Sequence, residues 1–384
     1  MREVVIIGLG MTRVDEHWDR SLRELAGEAA LNAIADARLS AVDGIFVGNM
    51  LSGQANRQQH LGAYIADWIG LRFKEALRME AACASGAAAF RAALMAVASG
   101  HLESALALGV EKMTDSPTAE MTHHLATAAD ADWEVDQGVS FVGLNALLMQ
   151  RYMFEYGWSH DDFAPFPIIA HANGVKNPFA RFRQAITLKT YQNAAMIADP
   201  INLFDSSPMG DGAAAVVIAA KESVAARMAP LPVQVLASAA ATDSIAIHSR
   251  RDPLWLRAAE VSSKRAYDQA GLWPGQIDFF ELHDAFSIMA ALSLEACGFA
   301  ERGQGPKLGI EGDIAPQGRI PIATMGGLKA RGHPVGATGL YQIAEATLQL
   351  RGQAGDAQLD RAHIAMTQNI GGSGSNVLTH ILGV

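Results

Sequence analysis

The chain has 384 residues, half of them hydrophobic and few of them aromatic, with a formal charge of −10. That length asks for one large α/β unit or two domains, and the composition suits packed helices on a buried sheet rather than disorder. The acidic balance argues against general affinity for nucleic acid or an anionic membrane, while leaving room for a local basic patch. Two cysteines, Cys83 and Cys297, make neither a disulfide framework nor a zinc site, which suits a reducing, cytoplasmic setting. No apolar window reaches the roughly 18 residues of a membrane-spanning helix.

In chain order, VVIIG (4–8) reads as a buried strand that ends in a turn at GLGMTR (8–13). That turn lacks the third glycine and the acidic residue a dinucleotide site would need. An amphipathic helix is expected over about 21–37, then a strand at GIFVG (44–48), a helix after Cys83 and a strand at ALALGVE (105–111). DGAAAVVIAA (211–220) and VQVLASAA (233–240) are further strands, followed by a helix over about 254–271. DFFELHD (278–284), AHIAMTQ (362–368) and SNVLTHIL (375–382) complete the strands. Strands alternating with helices predict a layered α/β fold on a mainly parallel sheet.

The two halves echo each other. CASGAAA begins at Cys83 and HPVGATG at His333, and each leads into a helix and then an apolar strand. Upstream GIFVGNM answers FFELHDAF, and downstream GDGAAAVVIA answers GGSGSNVLTHIL. Gly212 lies 129 residues after Cys83 but Gly374 only 41 after His333, so the first half carries about 88 extra residues, roughly 112–200. Rich in Met, His, Asp and aromatic residues, that insertion has the character of a lid or substrate loop. Halves packed about a pseudo-twofold axis would bring Cys83 and His333 together, each at a helix N-terminus. There the helix dipole favours an anion, lowers a thiol's pKa toward neutrality, and places an imidazole to take its proton. The bland alternative for Cys83 is a small buried hydrophobe.

MEAACASGAAAF (79–90), ELHDAFS (281–287), GGLKARGHPVGATG (326–339) and NIGGSGS (369–375), in this order, resemble the thiolase superfamily. The stretch 205–218, which ends in PMGDGAAAVVI, and RYMFEYGWSHDDFA (151–164) extend the likeness over essentially the whole chain. The archaeal and sterol-carrier-protein-type thiolases, with HD in the third motif, resemble it best, and GHPVGATG is the most specific stretch. The resemblance implies a five-layered αβαβα fold of two similar halves, here 1–225 with the loop-domain insertion and 226–384. It also implies an acetyl-CoA acetyltransferase-like enzyme that acts on coenzyme A thioesters, with no bound cofactor or metal, as a homodimer or tetramer. Carried over by motif, Cys83 is the acylated nucleophile and His333 its base, while His283 with His333 holds the thioester oxygen. The N–H groups of Cys83 and Gly371 would form a second oxyanion hole.

Two departures stand out. Most thiolases carry a second cysteine where this chain has Asn369, and HD-type relatives carry theirs where it has Ala285. Neither residue titrates usefully near neutral pH. The α-carbon base is then Cys297 in LEACGFA, one of His283 and His333, or none at all if the acceptor needs none. A carbon–carbon lyase of the same fold, and a weakly catalytic subunit of a complex, are the competing readings. HD-type thiolases without a fused lipid carrier are often accompanied by a small OB-fold, zinc-ribbon partner. Arg181, Arg183, Lys189, Lys329 and Arg331 are candidates for a basic rim near the coenzyme's phosphates, although charge runs are usually solvated faces. His171 resembles a loop position lining the coenzyme channel, with a solvated loop histidine as its alternative. His123 and His124 are adjacent and do not share a helix face, so no metal site is expected there. Asp284 would either orient His283 or cap the following helix.

Overall fold

The computed structural model describes residues 2–224 and 231–384, so the expected boundary at 225/226 lies outside the described residues. Its strands are β1 (Val4–Met11), β2 (Gly44–Gly48), β3 (Glu75–Met79), β4 (Ser104–Glu111), β5 (Met196–Ala198), β6 (Ile201–Asn202), β7 (Gly212–Ala220), β8 (Val233–Thr242), β9 (Phe279–Glu281), β10 (Ile364–Gly371) and β11 (Asn376–Gly383). Nine of them form one sheet in the order β3-β2-β4-β7-β1-β8-β11-β10-β9, and β5 and β6 pair by themselves. Read outward from the β1–β8 seam, each half repeats one pattern: β7, β4, β2 on one side answer β11, β10, β9 on the other. Beyond β9, Phe280 makes a lone parallel bridge to Ile322, in the place that β3 holds beside β2.

The sheet is mixed rather than mainly parallel. β2–β3, β2–β4 and β9–β10 run parallel, whereas β1–β7, β4–β7, β1–β8, β8–β11 and β10–β11 run antiparallel. Continuous apolar strands suggest parallel pairing because parallel strands are normally buried on both faces. Here helix layers bury both faces whatever the strand direction, and the short 372–375 link forces β10 and β11 to pair as a hairpin.

Alternate residues of the first-half strands face two different layers. Val5, Ile7, Ile45, Val47, Leu106 and Leu108 meet Leu25, Ala29 and Ala33 of the helix Leu22–Asp36. Val4, Ile6, Phe46, Ala105, Ala107 and Val216 meet the helices Ser85–Ala98 and Thr338–Leu350, which form the middle layer. On the far side, Met366, Ile370, Val377 and Ile381 pack with the helices Arg257–Ala270 and Ser287–Ala296. The result is five layers, αβαβα, with the N-termini of both middle helices at the site.

The expected turn at Gly8 is absent, since β1 continues to Met11. Gly8 and Gly10 serve close packing instead: a β-carbon on Gly8 would stand 2.2 Å from the Ala33 carbonyl oxygen, and one on Gly10 2.3 Å from that of Ala29. DFFELHD forms a strand only over Phe279–Glu281, so His283 leaves the sheet and enters the site.

Candidate active site

Cys83 sits just before the helix Ser85–Ala98, on a turn fixed by Ala82 at φ +51°. A left-handed alanine is costly and persists only where its surroundings hold it. Ser85 does so, with Oγ donating to the Ala82 carbonyl at 2.6 Å and accepting from the Ala81 N–H at 2.9 Å. His333 precedes the helix Thr338–Leu350, its N–H donating to the Pro208 carbonyl at 3.1 Å. His283 follows β9. Cys83 Sγ and one ring nitrogen of each histidine lie within 4.8 Å of one another, and the two rings meet edge-on with centroids 5.1 Å apart. The convergence expected of the two halves is what the structure places here.

These groups open onto a cavity of about 730 Å³, lined mainly by apolar side chains such as Met113, Leu125, Phe141, Phe286 and Met289. Thr118, Ser140, Asn145, His171 and Ile186 also line it, so the insertion does roof the site. His171 is buried rather than solvated, on the helix Pro165–Gly174, and its ring Nδ1 meets the Gln184 carbonyl at 3.2 Å.

Electrostatically the site differs from the sequence expectation. Burial pushes the Cys83 thiol up to about 12, aided by the Glu111 carboxylate and opposed by the N–H groups of Cys83 itself and Gly372. Burial likewise holds His283 down to about 3 and His333 well below the usual imidazole range, so both are neutral. The helix N-terminus therefore does not yield a standing thiolate, because desolvation and a nearby carboxylate outweigh it. The proton has to leave as the sulfur attacks.

The Gly372 N–H faces the Cys83 sulfur. Gly371 ends β10 opposite Asn376, and its α-carbon packs so near the Ala81 carbonyl that a β-carbon would stand 2.4 Å from that oxygen. Gly372, at φ +60°, lines the cavity. Asp284 neither orients His283 nor caps the following helix Ser287–Ala296; its Oδ1 accepts from the Leu328 N–H at 2.7 Å and anchors the turn Gly327–Arg331 before His333. Asn369 Nδ2 donates to His283 Nδ1 at 3.0 Å, and Ala285 lines the cavity. Cys297 lies in the core with its sulfur accepting from Gln368 Nε2 at 3.1 Å, away from the cavity.

Of the proposed basic rim, Arg331 is fully buried against Glu345 at 2.7 Å and cannot meet a phosphate. Lys329 is buried in the cavity wall, donating to the Asp205 carbonyl at 2.6 Å. Arg181 pairs with Glu16, Arg183 donates to the Val175 carbonyl, and Lys189 is exposed. His123 and His124 form no ligand cluster with other residues among the described residues. Two contributors escaped the sequence reading. Thr338 Oγ1 meets His333 Nδ1 at 2.7 Å, and Glu111 accepts from the N–H groups of Met50, Leu51 and Gly336, tying the HPVG loop to β4. Their signal was the motif itself, since Thr338 closes HPVGAT and Glu111 ends ALALGVE.

Family models match this arrangement end to end: "Thiolase, N-terminal domain" over residues 4–222 and "Thiolase C-terminal domain-like" over 239–384. The chain belongs to the thiolase family. It is 44% identical to an acetyl-CoA acetyltransferase of Methanothermobacter thermautotrophicus over 99% of both chains. It is 32% identical to the sterol carrier protein 2 of Bos taurus, over 98% of this chain and 71% of that one. Among solved structures, the "Ltp2-ChsH2(DUF35) aldolase" superposes with a TM-score of 0.87 at 25% identity, covering 100% of this thiolase and 98% of that chain.

Proposed function

We propose that this thiolase-family acyltransferase takes the acyl group of a coenzyme A thioester onto Cys83 and passes it to a carbon nucleophile. The observation that carries the reading is the meeting of Cys83, His283 and His333 within 4.8 Å at the base of a largely apolar cavity. His333 accepts the Cys83 proton as the sulfur attacks the thioester carbon. The N–H groups of Cys83 and Gly371 are the donors this reading gives to the thioester oxygen, where negative charge develops, a kind of contact typically worth a few kcal/mol in the transition state. His283 faces the same space from the opposite half. Coenzyme A thioesters are then substrates, and no resident cofactor or metal is invoked. The acetyl-CoA acetyltransferase relatives support acetyl-CoA as one substrate.

Assembly as a homodimer or tetramer in the cytoplasm belongs to the same reading, as does a small OB-fold, zinc-ribbon partner. The partner is supported by a structural neighbour that is a complex with a DUF35 protein. That no helix of the described residues is long and apolar enough to cross a membrane is consistent with this setting. The same neighbour is an aldolase and favours the second reading, carbon–carbon lysis of an acyl-CoA in this pocket.

Mass spectrometry of the intact protein and its peptides after incubation with acetyl-CoA and longer acyl-CoAs separates the two. A hydroxylamine-labile adduct on the Cys83 peptide, lost in Cys83→Ala, is the expected result. No adduct from any acyl-CoA, with a partner restored, would put the lyase or scaffold reading first.

A further inference from the structure

Asn369 occupies the place of the missing second cysteine and is 2% exposed. Its Nδ2 donates to His283 Nδ1, while its Oδ1 has no hydrogen-bond partner. That oxygen and the first-turn amide nitrogen of Ala87 crowd one point, lying 2.3 and 2.4 Å from where a β-carbon on Gly339 would stand. The positive end of the helix Ser85–Ala98 thus favours the oxygen on that side and turns the amide NH2 toward the imidazole. A ring nitrogen that accepts carries no proton, so neutral His283 carries its proton on Nε2. His333 is arranged the other way. Thr338 Oγ1 is placed to give its proton to the Pro334 carbonyl at 3.4 Å, four residues back, a habit of helical threonines. It then accepts from His333 Nδ1, which leaves the lone pair of His333 on Nε2.

We propose that Asn369 is a positioning residue that fixes His283 as an N–H donor and so leaves both proton transfers of the reaction to His333. This rests on the acyl-enzyme reading above. His333 first takes the Cys83 proton and returns it to the departing coenzyme A sulfur, so it is free again when the acceptor thioester binds. It then removes the acceptor's α-proton, and the enolate oxygen accepts from His283 Nε2–H. The enolate carbon bonds to the acyl carbon on Cys83, that carbon's bond to sulfur breaks, and the sulfur recovers its proton from His333. Every proton and electron pair is returned without a second thiol.

The test follows two half-reactions of acetyl-CoA separately: thioester formation on Cys83, and exchange of the methyl protons with D2O. In Asn369→Asp the carboxylate accepts from Nδ1–H and moves the proton off Nε2. Exchange then falls by about 100-fold, the usual loss for one donor at a developing oxyanion, while acylation stays within about threefold. Asn369→Ala, which leaves the ring free to choose its tautomer, gives a smaller loss of exchange. Exchange unchanged in Asn369→Asp, or acylation falling in parallel, overturns the assignment. Solid-state 15N spectra of the histidine-labelled wild type, with His283 signals assigned by their loss in His283→Gln, decide it without an Asn369 variant: a proton on Nδ1 refutes it. If the wild type forms no thioester, the acyl-enzyme reading fails, and the tautomer is still read from these spectra.

Discussion

Removing the base should change how acylation depends on pH, not only how fast it is. With the Cys83 thiol pushed up to about 12, freeing its proton to water at pH 7 costs at most about 7 kcal/mol, five units at about 1.4 kcal/mol each. The figure is a ceiling because the sulfur faces the open cavity. His333, held well below the usual imidazole range, stays unprotonated through the neutral region. A base with a depressed pKa is lost only as pH falls through that low value, so wild-type acylation should be flat from about pH 8 to 9, above the Glu111 carboxyl that burial raises to about 7 beside the sulfur. In His333→Ala the proton has to go to solvent. Acylation at pH 7 should fall by about 10³- to 10⁴-fold, short of the ceiling because Cys83 is only partly buried. It should then climb about tenfold per pH unit up to pH 9. Quenched-flow acylation read by intact mass measures both. A variant within about tenfold of wild type at pH 7, or one with a flat profile, would refute the reasoning.

Cys297→Ala should cost about 1 kcal/mol in a urea titration, for a lost core sulfur, and leave acylation and methyl exchange unchanged. Loss of exchange would show that this thiol reaches the chemistry. Asp284→Ala should cost about 2–4 kcal/mol, because it strands the Leu328 N–H and leaves a void beneath the turn that carries His333. Asp284→Asn keeps an acceptor and should lose about half as much; equal losses would mean that charge, not the hydrogen bond, is what matters there. Gly10→Ala should destabilise by about 1–3 kcal/mol, since its β-carbon would stand 2.3 Å from the Ala29 carbonyl oxygen. A melting temperature unchanged from wild type would mean that β1 and its helix have slack.

Much of the fold was legible because periodicity and repetition are local properties. The strands 44–48 and 105–111 fall within a residue of β2 and β4, and the helix around 21–37 is Leu22–Asp36 with Ser21 and Glu24 as its capping box. The strand β3 was missed, since EALRM has neither alternation nor an apolar run. Gly8 and Gly10 were misread as a turn because a glycine that admits a neighbouring helix and one that bends the chain look alike in sequence. The same holds for Asp284, where proximity to His283 along the chain suggested a partner that lies elsewhere in space.

The sequence by itself determined the two-fold repetition, the identity of Cys83, His283 and His333, and the absence of the usual second cysteine. These are statements about residue types in motifs, and they do not depend on how the chain closes. Only the tertiary structure decided the ionisation of the site, because desolvation is the sum of everything packed around a group. It reversed the expected lowering of the Cys83 pKa and kept both imidazoles neutral. It also decided that the N–H on the sulfur is Gly372's, that Arg331 is spent on Glu345, and that Asn369 touches His283. Those contacts join residues as much as 289 positions apart in the chain, from Cys83 to Gly372, and no local pattern records them.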